Sequence, residues 1–222
     1  MRGFFKKIKL EWQAAWQDSS FKWPFLAGWA VVFLLLPMLP KFYQFIENRE
    51  GVVLNDYLLR FLTPRNVSIP VFICVWMGAL MITIRSLTTP RILLNYMYAY
   101  VVFILLRNVC LVLVPLNAPI GIIELKDPLT DLFYGGTFIT KDLFFSGHTA
   151  TMVIMFLSLH KKYDKLFCKI AAFVVAGLLL VQHVHYSIDI LAAPFFAFLS
   201  FYLGQKWLQK MEGVVLQKAS PN

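Results

Sequence analysis

The sequence predicts an all-α, polytopic membrane protein with six transmembrane helices and an N-terminal amphipathic interfacial helix. Of its 222 residues, 59% are hydrophobic and only 15% are charged, against about 25% charged in a typical soluble domain. A soluble domain of this size could not bury so much apolar surface, so we expect lipid to surround most of the chain. A lone strand in lipid would leave its backbone without hydrogen bonds, so every span is predicted to be a helix.

The first 22 residues form a basic and aromatic segment ahead of the first long apolar run. Phe4, Phe5, Trp12 and Trp16 lie among basic residues there, a composition that predicts an amphipathic helix on the cytoplasmic membrane surface. No small-residue cleavage site follows the apolar run, so we expect an uncleaved first span rather than a signal peptide.

Six apolar runs approach the length of about 20 residues that a transmembrane helix needs. They cover residues 23–46, 67–84, 92–115, 143–159, 166–183 and 187–205. Prolines are expected to bend or end the first span, and Arg107 interrupts the third. Together the spans predict a transmembrane catalytic domain over 23–205, followed by a cytoplasmic tail over 206–222.

The distribution of Lys and Arg predicts the orientation of the spans. The N-terminal segment, the links after the second and fourth spans and the C-terminal tail hold 14 of these residues, whereas the alternate segments hold 6. The positive-inside rule therefore puts both termini in the cytoplasm. The segments 41–66, 116–142 and 182–189 then face a periplasm or an organelle lumen. Topology accounts for the net charge of +9, and no nucleic-acid partner is predicted.

A histidine and an aspartate between the fifth and sixth spans form the first half of a candidate catalytic site. His185 and Asp189 are four residues apart, a spacing that puts both on one face of a helix. The carboxylate can accept a hydrogen bond from one imidazole nitrogen, which fixes the tautomer and leaves the other nitrogen as a nucleophile. We therefore assign His185 as the nucleophile and Asp189 as the residue that orients it.

The second half of the candidate site comes from the start of the fourth span. His148 is predicted to act as a general acid on a leaving oxygen and then as a base on an incoming hydroxyl. Ser146, Gly147 and the helix start supply donors suited to phosphate oxygens, and Arg107 adds a cation for bidentate phosphate contact. Polar groups at this depth are costly and usually functional, and one helix down and one back bring the two halves together.

Some of these residues also have structural interpretations. Arg107 is alternatively expected to neutralise Asp142 or Asp189, and His183 to support the site without taking part in catalysis. A zinc site built from three histidines and Asp189 is also conceivable. However, His183 and His185 are two residues apart, which suits ligation from a strand better than from a helix, so no metal is predicted.

The two polar stretches resemble the sphingomyelin synthase family, which is related to the type 2 phosphatidic acid phosphatases. Residues 146–149, SGHT, with Asp142 upstream, are similar to that family's SGHT motif. Residues 185–189, HYSID, are similar to its HYxxD motif, and His183 also has a counterpart. The segment around Arg107 is similar to the family's earlier arginine motif.

The resemblance covers residues 91–203 and includes some departures. Gly135-Gly136 is similar to the glycines ahead of the family's SGHT motif, but Lys141 stands where the family has a glycine. The family's early proline-rich motif is not clear around Asp56. The phosphatase branch would show a Lys-x6-Arg-Pro motif and an arginine shortly before His185, and the sequence has neither.

The resemblance implies a six-span fold and a two-step exchange that needs no metal or cofactor. His185 would attack the phosphorus of a phospholipid headgroup, and His148 would protonate the departing diacylglycerol. A phosphohistidine would then transfer the headgroup to a lipid alcohol such as ceramide. The residues expected at the substrate phosphate are Arg107, Asp142, Ser146, Gly147, His183 and Tyr186.

Other functions stay open at this point. In a lipid phosphate phosphatase water would take the second step, and a lipid carrier would have no turnover. Choline, ethanolamine and inositol phosphates are all possible headgroups, and Tyr134, Tyr186 and Trp76 are candidates for an aromatic cage around a quaternary amine. The sequence does not predict an oligomeric state.

Overall fold

The computed structural model describes residues 2–125 and 139–219. Within these ranges the chain folds into α-helices joined by loops and two short 3₁₀ turns, and it forms no strand beyond one isolated bridge between Val52 and Leu116. The described helices are α1 (Arg2–Gln17), α2 (Ser19–Leu35), α3 (Leu39–Asn48), α4 (Ser68–Thr88), α5 (Pro90–Leu113), α6 (Gly147–Ser158), α7 (Lys162–Val181) and α8 (Ser187–Ala219). The all-α prediction is confirmed.

Among the residues that the structure describes, four segments are long and apolar enough to cross a membrane by length and composition, which is consistent with an integral membrane protein. They are Ser19–Asn48, which joins α2 and α3, then α4, α5 and most of α8. α6 has only 12 residues, or about 18 Å of helix, against a hydrocarbon core of about 30 Å. α7 carries charged residues in its first turns. The count of six spans therefore stays a prediction.

The described helices differ from the predicted spans by four residues or more at five boundaries. α2 starts at Ser19 and not at 23, α4 ends at Thr88 and not at 84, and α7 starts at Lys162 and not at 166. The other two boundaries concern α6 and α8. The sequence predicts helix from residue 143 in the fourth apolar run, but α6 begins only at Gly147. It predicts an end at 205 for the sixth, but α8 continues to Ala219. The added turns are stabilised by packing, because Leu208 is buried against α2 and α5. Up to residue 219, the predicted tail thus continues the last helix.

α1 packs against the rest of the bundle through Trp12, Ala15 and Trp16, and Trp12 makes the most contacts of the three. The indole nitrogen of Trp12 donates to the carbonyl of Leu87 at 3.1 Å, and its ring packs edge-on against Phe21 and Phe25 of α2. The position of α1 relative to a membrane surface stays a prediction.

The bundle is centred on α5, which packs most extensively against α8, while α6 packs against α7 and α8. Gly204 permits a close approach of α8 to α5, since a Cβ there would lie 2.7 Å from the Ala99 backbone. Large apolar side chains such as Phe33, Phe173 and Leu191 are exposed on the outside of the helices, as expected where lipid is the solvent. α6 and α8 start at the end of the bundle where α5 and α7 finish.

Candidate active site

The candidate site lies where α6 and α8 begin side by side. The backbone N–H of Ser146, just before α6, donates to the carbonyl of Asp189, in the first turn of α8, at 3.1 Å. Ser146, His185 and Asp189 are all at most 2% exposed. The structure therefore brings together the two polar stretches identified in the sequence.

Asp189 contacts His185 through one of its carboxylate oxygens. The Nδ1 of His185 lies 3.3 Å from Oδ2, which also accepts the Tyr186 backbone N–H at 2.9 Å. Oδ1 of Asp189 is buried and accepts no hydrogen bond from the residues that the structure describes. His185 precedes α8, which begins at Ser187. The contact thus forms across the entry to the helix and not along one helical face as predicted.

His148 approaches this pair from the first turn of α6. Its ring packs edge-on against Phe72 of α4, with 5.8 Å between centroids, and it lies within electrostatic range of His185, Arg107 and Asp142. The imidazole of His148 in α6 and that of His185 just ahead of α8 therefore lie close enough to interact electrostatically, as acid–base chemistry on a common substrate requires.

Arg107 is occupied by the segment that leads into α6. Its Nε donates to the Phe145 carbonyl at 3.0 Å, its Nη1 forms an ion pair with Asp142, and its Nη2 lies 3.3 Å from the Asp142 carbonyl. The guanidinium also packs against Gly147, where a Cβ would lie 3.0 Å from Nε. This geometry matches the structural interpretation of Arg107, which holds residues 142–147 against α5. A direct contact with substrate phosphate stays a prediction.

The first turn of α6, which follows Ser146, begins at the candidate site. Within the described ranges no side chain caps α6, and the Ser146 hydroxyl donates to Thr149 Oγ1 at 3.1 Å. The first N–H groups of a helix have no partner within the helix, and they favour an anion. Ser146 and Gly147 therefore stay candidates for contact with phosphate.

The sequence predicted that His183 contacts the substrate phosphate, but in the structure both of its ring nitrogens contact loop backbone. Its Nδ1 lies 2.9 Å from the Ile120 carbonyl and its Nε2 3.0 Å from the Leu62 carbonyl. The residue has a positive φ of 55°, which is uncommon for a residue other than glycine. The ring thus links the loops that contain Ile120 and Leu62 to the end of α7 in a supporting role.

Tyr186 likewise contacts loop backbone where a phosphate contact was predicted. Its hydroxyl donates to the Asn117 carbonyl at 2.9 Å and accepts the Leu54 N–H at 3.2 Å. Trp76 is 42% exposed, and Tyr134 lies outside the described residues, as do Gly135 and Gly136. The described residues therefore do not bring the proposed aromatic cage together.

Asp56 is a residue that sequence reasoning missed. Its carboxylate accepts the backbone N–H of Ser187 at 2.6 Å and the Ser187 hydroxyl at 2.9 Å, and it also accepts the N–H groups of Leu58 and Leu59. Burial raises the pKa of Asp56, but the hydrogen bonds from Ser187, Leu59 and Leu58 hold it below its usual value. The partners lie 131 residues apart, so no sequence spacing could indicate the contact.

Gln182 was also missed, at the end of α7. It is fully buried, accepts the Val67 N–H at 3.0 Å, and donates to the Ser68 hydroxyl and the Glu124 carbonyl, both at 2.9 Å. These bonds join α7 to the start of α4. The site is therefore surrounded by loops that are fixed to one another by buried polar side chains.

The described residues contain no cluster of three or more His, Cys, Asp or Glu side chains arranged to hold a metal ion. The described helices thus combine a buried His–Asp contact with a second histidine at a helix start, an arrangement that is compatible with acid–base and nucleophilic chemistry.

The family model described as PAP2 superfamily C-terminal matches residues 141–206. The match spans both histidine motifs and supports a relation to the type 2 phosphatidic acid phosphatases. It is consistent with phosphatase or phosphotransferase activity on lipid phosphates. No curated protein and no solved structure matches the chain significantly.

Proposed function

We propose that the protein is a membrane phosphotransferase that moves a phospho-headgroup from a glycerophospholipid to a lipid alcohol of the ceramide type. The products are a phosphosphingolipid and diacylglycerol. The observation that carries the proposal is the buried contact between His185 and Asp189. With its Nδ1 proton directed at the carboxylate, the imidazole keeps a lone pair on Nε2 for attack on phosphorus.

The reaction proceeds in two displacements at phosphorus. In the first, Nε2 of His185 forms a P–N bond, the P–O bond to diacylglycerol breaks, and His148 gives its proton to the departing oxygen. In the second, His148 takes the proton of the lipid alcohol, whose oxygen bonds to phosphorus as the P–N bond breaks. After one cycle both histidines have returned to their starting protonation states, and the P–O bond to diacylglycerol has been exchanged for a P–O bond to the lipid alcohol. The proposed cycle uses no metal or cofactor.

The surroundings of the two histidines support their roles. The start of α6 supplies N–H donors for phosphate oxygens from Gly147 onward, and the Ser146 hydroxyl lies beside them. Arg107 and Asp142 fix the segment ahead of that helix start, and Arg107 adds positive potential near the phosphate. His183 and Tyr186 act indirectly by tying the outward loops to the His185–Asp189 turn.

The proposed topology has six spans, both termini in the cytoplasm and the active site at the periplasmic or lumenal face. α6 crosses only part of the bilayer, and residues 139–146 supply the remaining depth. Lipid substrates then enter from the bilayer, which favours a lipid alcohol over water as acceptor because His185 and Asp189 are buried.

A lipid phosphate phosphatase is the second candidate, and the relation of residues 141–206 to the type 2 phosphatidic acid phosphatases favours it. The two functions differ only in the acceptor of the second step. Water would replace the lipid alcohol, and the headgroup or phosphate would leave in soluble form.

One experiment separates these functions. Purified protein in vesicles with a headgroup-labelled phospholipid should form labelled lipid product only when ceramide or another lipid alcohol is added. Release of labelled phosphate or phosphoalcohol without an acceptor would support the phosphatase instead. No turnover with any lipid, together with lipid binding, would indicate a carrier. His185→Ala protein, which lacks the proposed nucleophile, is the negative control for background transfer.

A further inference from the structure

Asp56 lies in a loop between α3 and α4, yet its carboxylate binds the first residue of α8. It accepts both the N–H and the hydroxyl of Ser187, two residues from each member of the His185–Asp189 pair. We propose that Asp56 is a positioning residue that sets the geometry of this pair. The kinetic consequences rest on the proposed function, whereas the structural consequences do not.

Hydrogen bonds and one peptide unit of the backbone connect Asp56 to the imidazole of His185. The Ser187 N–H is held by Asp56, which fixes the peptide that joins it to Tyr186. The Tyr186 N–H donates to Asp189 Oδ2 at 2.9 Å, and the same oxygen faces His185 Nδ1 at 3.3 Å. The His–Asp contact is already long for a hydrogen bond, so a small rotation of this turn would break it.

The loop that carries Asp56 is itself fixed to the same turn at a second point. The Leu54 N–H donates to the Tyr186 hydroxyl at 3.2 Å, and that hydroxyl donates to Asn117. Asp56 and Leu54 therefore hold Ser187 and Tyr186 from one short segment. Two attachments restrain the turn against rotation where one would leave it free to pivot.

The chain contains a matched cap at a different helix. Asp18 accepts the N–H and the hydroxyl of Ser20 at 2.8 Å each, at the start of α2. The chemistry equals that of Asp56 with Ser187, but the two residues are near neighbours in sequence and take no part in the proposed site. Asp18→Asn is therefore the control for Asp56→Asn, because both variants lose the charge and the paired acceptors of a helix cap.

The test measures steady-state transfer by Asp56→Asn, Asp18→Asn, Asp189→Asn and the double variant Asp56→Asn/Asp189→Asn, all normalised to folded protein. We expect Asp56→Asn to lower kcat by about 10- to 100-fold, as misplacement of a reacting group does, with KM nearly unchanged. The double variant should be little worse than Asp189→Asn alone, since both changes act through the same carboxylate. The acidic limb of the pH–rate profile should move in the same direction in Asp56→Asn and in Asp189→Asn.

Hydrogen exchange provides a readout that does not depend on turnover. Amides in the peptide that spans residues 185–190 should exchange faster in Asp56→Asn, while the same peptide in Asp18→Asn should match the wild type. If Asp56→Asn does not fold, Ser187→Ala replaces it, because this change removes only the hydroxyl contact. The expected loss of activity is then smaller and of the same kind.

Three results would overturn the inference: wild-type kcat in Asp56→Asn, independent losses that multiply in the double variant, or unchanged exchange in the 185–190 peptide. Failure of the proposed function looks different. The wild-type protein would then transfer no headgroup, and the exchange experiment alone would decide whether Asp56 positions the turn.

Discussion

The two ends of the helical bundle both carry ion pairs, and they place them in different environments. At the end opposite the site, Arg91 of α5 pairs with Glu212 of α8, with side chains 43% and 16% exposed. At the site end, the side chains of Arg107 and Asp142 are 6% and 20% exposed. Water can solvate Arg91 when its partner is removed, but it reaches Arg107 much less readily.

This difference in exposure determines how much each ion pair contributes to stability. A partly exposed pair contributes about 0–1 kcal/mol to stability, so the Arg91 end tolerates change. Breaking a buried pair costs about 3–5 kcal/mol, because a buried charge is left uncompensated. The site end should therefore respond strongly, in activity and in folding, to substitutions that the opposite end tolerates.

The largest expected effect is on catalysis. His185→Ala and His148→Ala should each lower the rate of headgroup transfer by at least about 10³-fold, as loss of a nucleophile or of its acid–base partner does. His160→Ala, on an exposed histidine at the opposite end, is the control and should keep the wild-type rate. Initial rates on folded protein test this, and near-normal turnover by His185→Ala would refute its assignment as nucleophile.

Asp189→Asn should have the next largest effect. The amide keeps the shape of the side chain but no longer orients the imidazole as a carboxylate does, so the rate should fall by about 10²- to 10⁴-fold and leave measurable activity. Asp164→Asn is the matched change at the other end, where Asp164 pairs with Arg85 at 2.5 Å. If Asp189→Asn and Asp164→Asn lowered the transfer rate equally, the site end would not be more sensitive to substitution than the opposite end.

Arg107→Met tests the distinction through stability. It removes the guanidinium that neutralises Asp142 and holds the Phe145 carbonyl, and we expect the free energy of unfolding to fall by about 3–5 kcal/mol. Arg91→Met should lower it by about 1 kcal/mol or less. Denaturant titration in mixed micelles measures both, and comparable losses would show that burial does not separate the pairs.

The smallest expected effect comes from two glycines. Gly147→Ala places a Cβ 3.0 Å from Arg107 Nε, and such overpacking should cost about 1–3 kcal/mol of stability. At Gly213, in α8 beyond Glu212, no atom of the described residues lies within 4 Å of the position that an added Cβ would take, so Gly213→Ala should stabilise the helix by about 0.5–1 kcal/mol. Thermal unfolding compares them, and a stabilising Gly147→Ala would contradict the packing described at Arg107.

The sequence was sufficient for features that depend on local pattern. Apolar runs predicted the helices, because a helix satisfies its own backbone in lipid. The four-residue spacing indicated that His185 and Asp189 lie close together, and a helix down and back brought His148 to the same end. These predictions depend only on residues that are close in sequence or on the direction in which a helix runs.

Features that depend on a distant partner could not be predicted in this way. The start of α6 at Gly147 reflects the hold of Arg107 on the preceding residues, and α8 extends past 205 because Leu208 finds a buried site. His183 and Tyr186 were assigned to the phosphate from the family resemblance of their motif, but loop carbonyls engage both. Asp56 had no local signal at all.

α8 has a consequence for experiments on the intact protein. Its 33 residues extend for about 50 Å, whereas the hydrocarbon core is about 30 Å thick. On the proposed topology Asp189, in its first turn, lies at the outer face, and about 20 Å of the same continuous helix would then project from the far side of the bilayer. A small rigid domain fused in helical register after Ala219 would serve as a marker for particle alignment in electron microscopy, on the side of the membrane away from the chemistry.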